Sequence, residues 1–150
     1  MVGHLTSGLL KGWSVLLIDD EEDSLELARY ILEFYGATVA TAVDGQDGID
    51  QTRTIHPDFI ISDISMPKVD GWDFIKQLKA DPALAHIPVI ALSAHALRGD
   101  RERAIAAGFN NYLTKPLTAN TFMLDLLQLL TVIPSISQRL PANLPPKGDV

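Results

Sequence analysis

The chain has 150 residues, 47% of them apolar, no cysteine, a formal net charge of −7 and an acidic pI of about 4.9. That length fits one domain with its own core, that composition excludes wholesale disorder, and the missing cysteines exclude disulfides and thiolate metal sites. The acidic balance argues against nucleic acid or an anionic membrane surface as the main partner.

In chain order, residues 1–12 lack the long apolar segment of a secretory signal and read as a flexible extension. Trp13 to Asp19 is a short apolar run suited to a strand buried on both faces. From Ser24 to Tyr35, Leu25, Ala28, Ile31, Leu32 and Tyr35 recur at helical spacing, and Gly36 supplies a stop. Ala37 to Ala42 is a weaker strand, and Asp44 to Ile55 a shorter, more polar helix. "PDFIISD", ending at Asp63, is a second strongly buried strand with an acid at its tip. Gly71 to Ala80 reads as a helix with Phe74, Ile75 and Leu78 inward. "HIPVIALSA" is a third apolar strand, ending at Ser93. Arg98 to Ala107 is a charged helix that stops at Gly108, and "NNYLTKP" a last short strand. A helix from Thr118 to Ile133 follows; it is broken by Asp125 and Gln128 and too short to span a bilayer. Residues 134–150 are rich in proline, show no hydrophobic period and read as a flexible tail. One domain over residues 13–133, in a cytoplasmic protein, is the expectation.

Five strands alternating with five helices specify a parallel sheet with helices on both faces. Ligands of such sheets sit outside the carboxyl ends of the strands, at a switch point in strand order. Asp19, Asp20, Asp63, Ser93 and Lys115 all fall at or just past predicted strand ends, so the fold should gather them along one edge. Converging carboxylates repel one another unless a cation offsets them. Mg²⁺ does so with oxygen ligands, and an aspartate beside a cation and a lysine is a nucleophile toward phosphorus. Glu21, Glu22 and Asp23 are better read as the acidic start of a helix. Taken singly, Lys115 would be a solvated charge, Tyr112 a packing residue and Ser93 uninformative. His4, His56 and His86 show no metal-like spacing and read as surface or loop residues; Trp13 and Trp72 read as packing residues.

At these residues the chain resembles the response regulator receiver family, over about Ser14 to Ile133. "LLIDDEED" is similar to the family's acidic pair, "FIISDISMPKVDGWDF" to its phosphoacceptor strand and loop, "IPVIALSA" to its switch hydroxyl and "NNYLTKPL" to its aromatic position and Lys-Pro. The resemblance implies a flavodoxin-like, doubly wound five-stranded sheet in the order 2-1-3-4-5. It implies Asp63 as phosphoacceptor. Asp19 and Asp20 would hold Mg²⁺ together with Asp63 and the backbone carbonyl of Ser65. Lys115 would pair with Asp63 or its phosphate, Ser93 would donate to a phosphoryl oxygen, and Tyr112 would turn inward as Ser93 moves. The Lys115–Pro116 bond is expected cis, a form that is cheap only before proline. Ser65 and His95, two residues after Asp63 and Ser93, would tune the phosphate lifetime.

The implied partners are a sensor or hybrid histidine kinase or a histidine phosphotransfer protein, and a downstream protein target. The implied chemistry is the chain's own Mg²⁺-dependent phosphorylation and dephosphorylation rather than conventional turnover. A homodimer through the Arg98–Ala107 helix, the Asn110–Leu113 strand and the Thr118–Ile133 helix face is a further expectation. On that last helix the apolar residues cover an arc wider than the ~100° that packing on a core requires. The surplus is expected either to mark a contact surface or to be covered by the tail or deeper packing. No helix-turn-helix follows, so DNA-binding output within this chain is not expected. The receiver would be stand-alone or part of a hybrid kinase. Three other readings compete. A pseudo-receiver would act without phosphate, but such modules usually lose a key residue. A metal-dependent aspartyl phosphatase would favour an acid at Ser65. A flavin-binding protein of this topology would need a phosphate cradle where the first loop is acidic.

Overall fold

The structure is a computed structural model that describes residues 8–64, 71–93, 100–115, 117–118 and 121–140. The elements, in order, are β1 (Ser14–Ile18), α1 (Glu22–Phe34), β2 (Thr38–Ala42), α2 (Gly45–Ile55), β3 (Phe59–Asp63), α3 (Gly71–Ala80), β4 (Val89–Ser93), α4 (Asp100–Ala107), β5 (Asn111–Thr114), α5 (Phe122–Thr131) and α6 (Pro134–Ser137). Five parallel strands lie in the order β2-β1-β3-β4-β5, the flavodoxin-like arrangement expected.

The strands sort their residues by the two-residue period of a pleated sheet. Val15 and Leu17 of β1, Phe59 and Ile61 of β3, and Ile90 and Leu92 of β4 face α1 and α5. Leu16 and Ile18, Ile60, and Val89 and Ala91 face the other way, toward Ile49 of α2, Phe74, Ile75 and Leu78 of α3 and Ala104 of α4. Because both faces are covered, the central strands read as continuous apolar runs rather than as alternation.

The helix ends follow local chemistry. Asp44 caps α2 by accepting the Asp47 N–H at 2.9 Å. Glu22 and Asp23 occupy the first turn of α1, where the helix dipole favours acids. Gly36 sits at φ 99°, where an added Cβ would lie 3.0 Å from the Lys11 backbone nitrogen, so only glycine ends α1 here without strain.

Two expectations are corrected at the chain ends. Residues 8–12 and 134–140 are not loose: Leu10 is wholly buried, Ile136 is buried, and both join the cluster on the α1/α5 face. Each such side chain contributes about 1.5–3 kcal/mol on removal from water toward holding its segment on the domain. The wide apolar arc of α5 is likewise accounted for, since Phe122, Met123, Leu126, Leu127 and Leu130 are all buried, with α1 and α6 packed against the helix. Val132, just beyond α5, is the large apolar residue left exposed there.

Candidate functional site

The register of the sheet builds the site. Ile18 is level with Ser62, Asp63 with Leu92, and Ser93 with Thr114. The next residue along β1 and the next along β5 are Asp19 and Lys115, so both are delivered beside Asp63 at the carboxyl edge. Backbone bonds fix them there: Asp19 N–H donates to Ala42 O at 3.1 Å, and Lys115 N–H to Ser93 O at 2.8 Å. Asp19, Asp63 and Ser93 are buried, while Asp20 is exposed.

Lys115 holds the centre. Its ammonium lies 2.9 Å from Asp19 Oδ2 and 3.1 Å from Asp63 Oδ2, donating a hydrogen bond to the latter. Glu21 Oε1 stands 3.6 Å away on the exposed side. Burial alone would pull the Lys115 pKa down, but hydrogen bonds and charge from Asp19 and Asp63 outweigh it and raise the value. Asp19 is pushed up to about 6, by burial first and by the Asp63 charge as well. The Glu21 N–H, at 2.9 Å from Asp19 Oδ1, and the Lys115 ammonium pull the other way.

Among the described residues one ammonium therefore faces several acids, and they leave the site short of positive charge. Carboxylate oxygens of Asp19, Asp20 and Asp63 lie within 4.8 Å of one another. The buried Asp19 Oδ2 has a close ammonium but no hydrogen bond of good geometry among the described residues. A hard divalent ion takes oxygen donors of this kind, so the residues fit Mg²⁺.

Tyr112 is half-buried on the α2/α3/α4 face and lines a groove of about 490 Å³ with Arg101, Asp125, Gln128 and Leu129. Ser65, His95 and Pro116 lie outside the described residues. Two features escaped the sequence reading. Glu21 occupies the N-cap position of α1 without a side-chain capping bond and reaches toward Lys115 instead; an acid at the start of a helix beginning in the site was the available signal. Gly71 opens α3 so close to β3 that an added Cβ would stand 2.4 Å from Asp63 O and from Ile64 Cα. That close approach anchors α3 against the end of β3.

The response regulator receiver domain family matches residues 15–126. The chain belongs to this family. It is 38% identical over 110 residues to the polar-differentiation response regulator DivK of Brucella ovis, covering 73% of this chain and 89% of that protein. Among solved structures, the chemotaxis response regulator CheY4 of Vibrio cholerae is similar at a TM-score of 0.73 and 26% identity, covering 79% of this chain and 98% of that one. The receiver domain of a signal transduction histidine kinase from Syntrophus aciditrophicus is similar at a TM-score of 0.71 and 27% identity, covering 89% and 98%. The chain is thus a response regulator receiver domain, similar to DivK, with the family's acidic pocket at its carboxyl edge. Among the described residues no helix is long and apolar enough to cross a membrane.

Proposed function

We propose that this chain is a phosphorelay switch in which Asp63 accepts a phosphoryl group from the phosphohistidine of a sensor or hybrid histidine kinase, or of a histidine phosphotransfer protein. The observation that carries this reading is the Lys115 ammonium held between the Asp19 and Asp63 carboxylates at 2.9 and 3.1 Å. An Asp63 oxygen attacks phosphorus in line; the P–O bond forms as the P–N bond to the donor imidazole breaks. The imidazole leaves neutral because its second nitrogen carries a proton. Asp19, Asp20, Asp63 and the Ser65 carbonyl would hold Mg²⁺, which when bound supplies charge neutralisation at the phosphoryl oxygens. Lys115 adds a second positive charge there and exchanges its Asp63 contact for a phosphoryl oxygen. Hydrolysis reverses the state, with Ser65 and His95 setting how readily water reaches phosphorus.

The phosphate adds charge and strong acceptors, and Ser93 donates to one of them. Its movement makes room for Tyr112 to turn inward, with the Lys115–Pro116 bond cis. That movement biases an equilibrium between two arrangements of the α4, β5 and α5 surface. The groove lined by Arg101, Tyr112, Asp125 and Leu129 is the surface such a change alters, and supports a downstream protein target or a second copy of the chain as its reader.

The test is intact mass after incubation with a small-molecule phosphodonor, with and without Mg²⁺. One phosphoryl adduct that requires Mg²⁺ and is absent from Asp63→Asn is expected. An adduct of equal yield in Asp63→Asn would refute the assignment.

A further inference from the structure

A second cleft, of about 300 Å³, opens at the opposite edge of the sheet, where β3 and β4 begin. Its walls are the turn carrying His56 and Asp58, the turn carrying His86 and Ile87, and the α6 segment with Ser135, Ile136 and Arg139. The α6 wall lies beyond residues 15–126, the stretch shared with the family. The segment carrying Ser135, Ile136 and Arg139 therefore completes this cleft.

Its chemistry runs against the acidic character of the protein. The acid lining it, Asp58, is already matched on both oxygens: Oδ2 accepts the Ser14 N–H at 2.7 Å, and Oδ1 takes Arg139 Nη1 at 2.7 Å. Arg139 is held by that ion pair and by stacking on the Trp13 ring, 4.0 Å from its centroid. A guanidinium has five N–H donors. Apart from the one given to Asp58, those of Arg139 meet no acceptor among the described residues. The His56 and His86 imidazoles are likewise unengaged there. Beneath these donors Ile87 and Ile136 form an apolar floor. His56 ends α2 in a left-handed conformation at φ 46°, its N–H bonded to Thr52 O, which fixes the backbone of this wall.

We propose that this cleft binds a small anion with an apolar body. Its carboxylate or phosphate head group is held by Arg139 with His56 and His86, and its body lies on Ile87 and Ile136. A pre-oriented guanidinium fork matches either head group. The volume stands at the lower end for ligand pockets, which limits the occupant to a small molecule.

Calorimetric titration of the full chain tests this with hexanoate, hexyl phosphate and, as the uncharged control, hexanol. Saturable binding of one or both anions is expected, about tenfold tighter than hexanol, and the favoured anion distinguishes carboxylate from phosphate ligands. Arg139→Gln should weaken it by about tenfold. His86→Ala, at an exposed position that leaves α6 in place, should weaken it about threefold and keeps the test decisive if Arg139→Gln loosens the segment. Hexanol binding as tightly as the anions, binding unmoved by His86→Ala, or no saturable binding of either anion would overturn the proposal.

Discussion

Replacing Lys115 by methionine removes the site's central cation while keeping most of the side chain's apolar stem. The ammonium is nearly buried, at 2.9 Å from Asp19 and 3.1 Å from Asp63. At an effective dielectric of about 20, unit charges ~3 Å apart attract by roughly 5 kcal/mol, so the two contacts together oppose the carboxylate repulsion strongly. Desolvating the lysine offsets much of that gain, and breaking a buried pair typically costs about 3–5 kcal/mol net. The metal-free variant should therefore lose about 3 kcal/mol, the lower end, because the exposed Asp20 side lets water screen part of the remaining charge. Saturating Mg²⁺ should narrow the gap between variant and wild type, since a divalent charge replaces the one removed. Urea denaturation with and without Mg²⁺ measures both quantities, with unchanged slopes confirming that midpoints report stability. A loss below about 1 kcal/mol without metal, or a gap that widens with Mg²⁺, would refute the claim that Lys115 neutralises this cluster.

Three further outcomes are expected. Gly71→Ala places a methyl group 2.4 Å from Asp63 O and Ile64 Cα, so α3 must shift; a loss of about 1–3 kcal/mol in urea and slower phosphorylation by intact mass should result. Tyr35 buries its hydroxyl with no hydrogen-bond partner among the described residues, and Tyr35→Phe should gain up to about 1 kcal/mol in thermal or urea unfolding at neutral pH. Burial raises the Tyr35 phenol above its ordinary value of 10.0, so the wild type keeps its stability below that pH and loses it as the unfolded chain ionises above; the Phe variant escapes this loss, and its advantage should widen on alkaline titration. Asp19, at about 6 in the metal-free fold, holds its proton more tightly than the unfolded chain with its ordinary 3.8. Its contribution to metal-free stability is thus complete below that lower value and is lost as pH rises through about 6, while Mg²⁺, competing with the same proton, should bind more tightly over that rise; magnesium titrations across the window check the sign.

The carboxyl edge was legible in the sequence because its geometry follows from topology. A parallel sheet with helices on both faces brings every strand end to one rim, so an acid at the tip of "LLID" and another at the tip of "FIISD" must meet, whatever the loops between them do. Register then supplies the lysine, since Ser93 is level with Thr114 and the next residue is Lys115. The amino-terminal edge offered no comparable rule. Its wall is one short turn of helix, Pro134–Ser137, too brief to show a hydrophobic period, and it is anchored by single residues far apart in sequence: Leu10, Ile136, and Arg139 on Asp58 and Trp13. An arginine in a proline-rich tail looks solvated until the aspartate and tryptophan that receive it are placed. The surplus apolar arc of α5 was the one sequence signal that something covers it, and part of the cover proved to be this same segment. The two edges thus differ in how they are specified. The acidic site at the carboxyl edge is fixed by strand ends that the sheet topology must align, whereas the second cleft depends on a segment beyond residues 15–126, the stretch that matches the family.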